Sequence, residues 1–133
     1  MRYFVSGHRD LTLDEFLEHY APIIDKVVEE DSSAKFLVGD WEGCDTIVTE
    51  YLSLLPSTAS DVTIYYVEKV KMCPFDEAAC NYENIHFKEK STYDECDASM
   101  TVDSDFDIAW IRPGKENSHT ANNIKRRYEN RIS

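Results

Sequence analysis

At two places the chain joins a short apolar run to a glycine turn and then to a helical pattern. Tyr3-Phe4-Val5 leads into Ser6-Gly7-His8-Arg9-Asp10, and Phe36-Leu37-Val38 leads into Gly39-Asp40-Trp41-Glu42-Gly43-Cys44-Asp45. A strand, a glycine turn and a helix in this order direct backbone N–H groups and a helix N-terminus at a bound anion or nucleotide. The repetition restricts the fold to units in which a strand precedes a helix. It also makes nucleotide-type ligand binding the leading hypothesis.

Strands and helices alternate along the rest of the chain. Apolar, β-branched and aromatic runs predict four strands, at 2–6, 34–38, 62–67 and 106–111. Helical spacing predicts helices over 44–55 and 91–103, and a last helix that opens at Asn117 or Ser118. Such alternation gives a parallel sheet with helices on both faces. We therefore expect a single α/β domain over residues 1–133, a Rossmann-like three-layer sandwich whose mostly parallel sheet has four to five strands.

Two segments leave alternatives open. Thr12 and Glu15 have the spacing of a capping box, which begins a helix at Leu13. Pro22 interrupts its apolar period, so either the helix kinks there, or it ends near Tyr20 and a second helix begins with the proline in its first turn. Residues 68–90 have no sustained period and are predicted to form an irregular insertion, with a short helix near 76–82 as the alternative.

The composition of the 133-residue chain excludes several classes of protein. A net charge of −12 argues against general binding of DNA or RNA, which needs a basic surface. No apolar run approaches the roughly 20 residues that span a bilayer, and the charged N-terminus does not resemble a signal peptide. We expect a cytoplasmic protein with no membrane contact. Edge strands and a basic last helix offer docking surfaces, so we also expect a homo-oligomer.

The four cysteines allow two interpretations. Reduced thiols are the default in an intracellular protein. Alternatively, Cys73, Cys80, His86 and Cys96 have a loose Cys₃His spacing that would suit zinc, although they contain no C-x-x-C pair. We predict no resident metal.

In an open parallel sheet, ligands bind beyond the carboxyl ends of the strands, where the loops 6–12, 39–45, 67–75 and 111–120 are expected to meet. In the first of them, Gly7 permits close approach of the backbone, and His8 and Arg9 supply donors for an anion. Ser6 is also expected to contact the ligand. The alternative is a tight turn in which Arg9 pairs with a carboxylate such as Asp10. We expect the separate turns to form one hollow with an electropositive lining.

The second loop is bracketed by Gly39 and Gly43 but carries carboxylates at Asp40, Glu42 and Asp45. These carboxylates would repel a bare phosphate. They suit ribose hydroxyls, an amino group of a base, or a divalent metal shared with a phosphate. An equally good interpretation is that Asp45 stabilises the N-terminus of the following helix.

The third candidate is Gly114 with Ser118, His119 and Thr120 at the start of the last helix. Two hydroxyls and the N–H groups of the first helical turn suit a phosphate there, and no carboxylate lies between Asn117 and Asn123. Ser118 is alternatively an N-cap. We predict this turn as the best phosphate site in the chain.

These three turns resemble those of the SLOG superfamily, and in particular its small YspA-like branch. The first turn is similar to a Thr-Gly-Ser-Arg-Asp turn and the second to a Gly-Gly-Ala-Arg-Gly-Ala-Asp loop. The third matches a late strand, glycine turn and Ser/Thr-led helix, here residues 107–111 and 114–120. The resemblance implies a Rossmann-like nucleotide-binding domain related to the LOG and DprA proteins. The Pro-Gly-Gly-x-Gly-Thr-x-x-Glu signature of the phosphoribohydrolase members is absent.

Three hypotheses for function follow. The first is binding of a nucleotide or nucleoside derivative. The second is an enzyme that cleaves or exchanges an N-glycosidic bond, as nucleoside deoxyribosyltransferases of related layout do, with Glu50 or Asp45 as nucleophile or base. Glu50 lies five residues after Asp45, about 140° round the helix, so the two do not share a face. The third is an interaction protein whose acidic surface binds a basic partner.

Overall fold

A computed structural model of the chain describes residues 1–31, 33–39, 43–53, 61–67, 85–115 and 118–132. Within these residues five strands alternate with helices. In chain order they are β1 (Arg2–Ser6), α1 (Leu13–His19), α2 (Ala21–Glu30), β2 (Lys35–Gly39), α3 (Cys44–Ser53), β3 (Asp61–Val67), β4 (Ile85–Lys90), α4 (Tyr93–Asp103), β5 (Phe106–Ala109) and α5 (His119–Ile132). None of the described helices has both the length and the apolar character needed to cross a bilayer.

The five strands form one parallel sheet in the order β4-β3-β2-β1-β5. From β1 the chain adds strands on one side as far as β4, and it then crosses to the other side of β1 to form β5. The direction of winding therefore reverses between β1 and β5. In open α/β sheets, the crevice at such a reversal, beyond the carboxyl ends of the strands, is where ligands bind.

Helices cover both faces of the sheet. Neighbouring side chains of a strand point to opposite faces, and nearly every residue of the central strands is apolar, so both faces must be buried. One core contains Val5, Phe36 and Ile64 and receives side chains of α1, α2 and α3, such as Phe16, Ile24 and Val48. The other core contains Phe4, Leu37 and Tyr65 with Cys96 and Met100 of α4. The predicted Rossmann-like three-layer arrangement is confirmed.

The last six residues of the predicted insertion form a strand. β4 pairs in parallel with β3 from Val62 opposite Ile85 to Val67 opposite Lys90. It lies at the edge of the sheet, where one flank meets solvent, so charged residues such as Lys88 and Glu89 are tolerated and shield the edge. Because of this composition, the strand has no apolar run by which it could be predicted. Residues 68–84, including the alternative short helix near 76–82, lie outside the described residues.

The helix predicted after β1 is divided into two helices, α1 and α2, just before Pro22. α1 is closed at its start by the predicted capping box, in which Thr12 Oγ1 accepts from the N–H of Glu15 and Glu15 Oε1 accepts from the N–H of Thr12. α2 begins at Ala21 with Pro22 in its first turn. Of the two alternatives, the break near Tyr20 is the one that forms.

β5 ends at Ala109, two residues before the predicted end, because the next N–H groups bond to side chains. Trp110 N–H donates to Tyr20 Oη at 3.0 Å, and Arg112 N–H donates to His8 Nε2 at 2.8 Å. The Trp110 ring also stacks on His19, with ring centroids 4.0 Å apart. These contacts turn the chain away from the sheet toward α5.

Candidate ligand-binding hollow

A hollow of about 170 Å³ opens at the carboxyl edge of the sheet. It is lined by residues from β1 and the turn after it, the end of β2, the first turn of α3, α4 as far as Met100, and the start of α5. They are Phe4, Ser6, Gly7, Arg9, Gly39, Asp45, Tyr93, Asp94, Cys96, Asp97, Met100, Thr120 and Asn123. Residues from all three predicted turns are therefore brought together. From the predicted site residues, the lining includes Ser6, Gly7, Arg9, Gly39, Asp45 and Thr120.

The hollow has an apolar floor and a polar wall. Phe4, Cys96 and Met100 are each 1 % exposed and belong to the core between the sheet and α4. The side chains of the described lining that carry a formal charge at neutral pH are one arginine, Arg9, and three aspartates, which are Asp45, Asp94 and Asp97. Their formal charges sum to −2. The expectation of an electropositive lining is therefore wrong for the described residues.

Ser6 lines the hollow with an unsatisfied hydroxyl. The residue is 6 % exposed, and its Oγ is the buried side-chain polar atom that lacks a hydrogen-bond partner among the described residues. Side chains alternate along a strand, so Ser6 shares the sheet face of Phe4, which also lines the hollow. A buried hydroxyl with no partner is costly. Such a group therefore marks a place where a ligand atom would bond.

At Gly7, neighbouring side chains leave no space for a Cβ, which is why this position is a glycine. A Cβ at this position would lie 2.5 Å from Cys44 Sγ and 2.6 Å from Tyr20 Oη. The Tyr20 hydroxyl donates to the carbonyl of Ser6 at 2.7 Å, which fixes the end of β1. The close approach predicted for a ligand at Gly7 is therefore occupied, on the Cβ side, by α1–α2 and α3.

Gly43 packs against the carbonyl group of Arg9 and is not among the residues that line the hollow. Its φ is +81°, and a Cβ would lie 1.9 Å from the carbonyl oxygen of Arg9. The N–H of Cys44 donates to the carbonyl of His8 at 3.1 Å. Gly43 thus lets α3 begin directly against the turn after β1, which brings Arg9 and Asp45 to the same hollow.

His8 faces away from the hollow and is 7 % exposed. Burial and the nearby Arg112 guanidinium lower its pKa, which favours the neutral ring. In that form Nε2 accepts the N–H of Arg112. His8 thus joins the loop after β1 to the loop after β5, and it does not line the hollow.

Arg112 forms the largest ion-pair cluster around the site, and sequence patterns did not identify it. Its guanidinium bonds to both carboxylate oxygens of Asp10 at 2.9 Å and to Glu15 Oε1 at 2.7 Å. The hydrogen bonds from Arg112 lower the pKa of Glu15 to about 2, and they also lower the pKa of Asp10. No local spacing links residues about a hundred positions apart, so this cluster could be found only in three dimensions.

The remaining predicted site residues that the structure describes do not line the hollow. Gly114 is exposed, with φ +88°, and among the described residues no atom beyond its chain neighbours lies within 4 Å of the position that a Cβ would take. Ser118 Oγ accepts the N–H of Ala121 at 3.2 Å, so it is the N-cap of α5. Glu50 is exposed on α3 and does not line the hollow. Asp40 and the side chain of His119 lie outside the described residues.

Seven lining residues were not predicted as site residues; three of them form the floor (Phe4, Cys96 and Met100), and the other four are polar. Tyr93, Asp94 and Asp97 belong to the first turns of α4, and Asn123 lies one turn into α5. The start of α4 lies at this edge because β4 precedes it, and β4 itself was not predicted. The usable signal was the Thr92 cap, whose Oγ1 accepts the N–H of Glu95.

α5 is anchored so that Thr120 and Asn123 face the hollow. Arg127 binds both carboxylate oxygens of Asp107 at 2.7 and 3.0 Å, and it donates to the carbonyl of Ser104. The side chains of this ion pair are each 11 % exposed. The pair therefore fixes the rotation of α5 against β5.

The chemistry available to thiols and metals is limited. Burial raises the pKa of Cys44 well above its ordinary value, which makes this thiol a poor nucleophile. The described residues contain no group of three His, Cys, Asp or Glu side chains arranged to hold a metal. In the alternative zinc set, Cys96 is in the floor of the hollow, His86 is exposed on β4, and Cys73 and Cys80 lie outside the described residues.

Comparison with known proteins adds no family to this picture. The resemblance to SLOG proteins rests on the three turns, of which 6–10 and parts of 39–45 and 114–120 are described. It stays a prediction. The chain matches no protein-family model, no curated protein and no solved structure.

Proposed function

We propose that the hollow binds a nucleotide or a nucleotide-derived small molecule. The observation that carries the proposal is the buried hydroxyl of Ser6, which has no partner among the described residues, at the crevice where the winding of the sheet reverses. A ligand atom that donates to or accepts from Ser6 Oγ would remove the cost of leaving this group unsatisfied.

The lining matches the two halves of such a ligand. Phe4 and Met100 offer apolar surface, and Tyr93 offers an aromatic ring, for a flat base. Asp45, Asp94 and other polar side chains offer acceptors for sugar hydroxyls or an amino group. Pockets for drug-sized ligands usually have volumes of about 300–1,000 Å³. At about 170 Å³ the hollow would hold one ring system, with the rest of the ligand at its mouth.

Calorimetric titration tests the proposal with nucleosides, nucleoside mono- and diphosphates, ADP-ribose and cyclic dinucleotides. We expect saturable binding of at least one of them, weakened about fivefold or more in Ser6→Ala because a buried hydrogen bond is lost. Ser33→Ala is the control, since Ser33 is an exposed serine that bonds to Asp31 just before β2, away from the hollow. Absence of binding at millimolar ligand would overturn the proposal.

A second candidate function is cleavage or exchange of an N-glycosidic bond. It is favoured by the position of Asp45 in the hollow, where a carboxylate can face the anomeric carbon of a bound sugar. We expect release of free base to be lost in Asp45→Asn and kept in Glu50→Gln, because Glu50 does not line the hollow. Retained release in Asp45→Asn would remove this role.

We also propose that the chain works as a cytoplasmic homo-oligomer. β5 is an edge strand and carries Phe106, which is 42 % exposed, and the adjacent α5 carries Tyr128, which is 67 % exposed. Sedimentation velocity distinguishes an oligomer from a monomer, and a monomer at all concentrations would contradict the proposal.

A further inference from the structure

The charge of the hollow bears on which form of the proposed ligand it would accept. Among the described residues, the lining carries Arg9 against Asp45, Asp94 and Asp97, a net formal charge of −2. A phosphate monoester bears nearly two negative charges at neutral pH. Bringing it among three carboxylates opposes binding, whereas neutral hydroxyl and amino groups can donate hydrogen bonds to the same oxygens.

The helix N-termini at the hollow do not reverse this charge. Each helix start carries the equivalent of roughly half a positive charge. α3 and α4 have their own acidic side chains in the first turn, Asp45 and Asp94 among them. α5 has no acidic residue in its first turn, but Ser118 Oγ already accepts the N–H of Ala121.

An independent observation points to a ligand in this acidic hollow. Ser6 Oγ is buried on the sheet face that forms the floor of the hollow, and it has no hydrogen-bond partner in the part of the chain that the structure describes. A hydroxyl both donates and accepts, so it pairs with a sugar hydroxyl or a ring nitrogen as readily as with an anion. The apolar floor of Phe4, Cys96 and Met100 fits an uncharged ring.

We propose that the hollow selects an unphosphorylated nucleoside over its phosphorylated form, with Asp94 and Asp97 as the residues that impose the preference. This inference rests on the proposed function. Both aspartates project from the start of α4, on the same side of the sheet as Ser6 and Phe4. They accept hydrogen bonds from the hydroxyls of the ligand, and they repel a phosphate group.

The test compares four ribonucleosides with their 5′-monophosphates by calorimetry on the wild type and on D94N/D97N. We expect the preferred nucleoside to bind at least about tenfold more tightly than its monophosphate, and the ratio to fall below about threefold in the double variant. Raising the ionic strength should also reduce the ratio. E29Q/E30Q makes the same charge change on exposed residues of α2, at the other edge of the sheet, and should keep the wild-type ratio.

The outcomes separate this inference from the proposed function. A monophosphate that binds as tightly as its nucleoside would overturn the inference and leave the proposed function standing. A wild-type ratio unchanged in D94N/D97N would remove the two aspartates from the preference. Absence of binding by both forms would overturn the proposed function. S6A, which should weaken the nucleoside and the monophosphate alike, checks that binding occurs in the hollow if the double variant does not fold.

Discussion

At Gly43, the backbone adopts a conformation that L side chains avoid, and the space for a side chain is filled. Its φ is +81°, and a Cβ would meet the carbonyl oxygen of Arg9 at 1.9 Å. Gly43→Ala must therefore distort the turn after β1 as well as adopt an unfavourable φ. We expect it to lower the free energy of unfolding by about 3 kcal/mol or more, measured by urea denaturation.

Gly114 provides the matched control for this substitution. Its φ is +88°, close to that of Gly43, but among the described residues no atom beyond its chain neighbours lies within 4 Å of the position of a Cβ. Gly114→Ala should cost only the conformational penalty of about 1–2 kcal/mol. Equal losses in the two variants would show that the contact with Arg9 does not add to the cost at Gly43.

Individual site residues were predictable where their role depends on strand order. Ser6 ends β1 and Thr120 lies in the first turn of α5, and such ends meet at the carboxyl edge of a parallel sheet, so the two were expected at one edge and both line the hollow. The roles of His8 and Gly43 were not predictable, because their partners, Arg112 and the Arg9 carbonyl, come from other segments. A glycine turn has the same pattern whether it serves a ligand or a neighbouring chain segment.

At the scale of elements, the loop after β5 is tied to α1 through Arg112. In the folded state the pKa of Glu15 is lowered from 4.5 to about 2, first by hydrogen bonds from Arg112 and then by the N–H of Thr12. A carboxyl whose pKa is lower in the folded state stabilises the fold above its unfolded pKa, and that stabilisation is lost as the pH falls toward 2. Asp10, whose pKa is also lowered by Arg112, acts in the same direction.

Arg112→Gln tests this link between elements. We expect the wild type to lose more stability than the variant between pH 5 and about 2.5, because the variant has less ionic stabilisation to lose. Urea midpoints measured across this range give the comparison. Arg2→Gln is the control, since the Arg2 side chain is 54 % exposed and 3.9 Å from Asp105. Parallel pH profiles for the wild type and Arg112→Gln would contradict the assignment.

Among the strands, sequence identified those that carry apolar or aromatic runs, which are the three central strands and the edge strand β5. β1, β2 and β3 have nearly continuous apolar runs, since both of their faces pack on helices or on other core side chains. β4 has one flank in solvent and carries charged residues, so its pattern resembled a loop. Because β4 was not predicted, the start of α4 was not expected at the carboxyl edge of the sheet. Asp94 and Asp97 were therefore not predicted as site residues.

For the whole molecule, alternation of strands and helices was enough to predict the architecture. A parallel sheet needs crossover connections, and right-handed crossovers leave few arrangements for five strands. The charge of the hollow was not predictable in the same way. It depends on which acidic side chains, out of 26 in the chain, the fold brings to one edge.

The net charge of −12 makes self-repulsion a property of the entire fold. Added salt screens this repulsion, since the Debye length falls from about 30 Å at 0.01 M to about 8 Å at 0.15 M. Salt also weakens favourable pairs such as Arg112 with Asp10, so the sign of the response reports which effect is larger. We expect net stabilisation of about 0.5–1 kcal/mol, measured by urea denaturation.

The double variant Glu29→Lys/Glu30→Lys tests this prediction by reducing the net negative charge of the chain. Both residues are exposed in the last turn of α2, which has no basic residue, so the exchange removes two unfavourable charges from a helix C-terminus. It also changes the net charge from −12 to −8, because each exchange adds two positive charges. The variant should be more stable than the wild type at low salt and should gain less from added salt. A salt response as large as that of the wild type would show that repulsion among distant carboxylates does not limit stability, and that local ion pairs and ion binding govern the response.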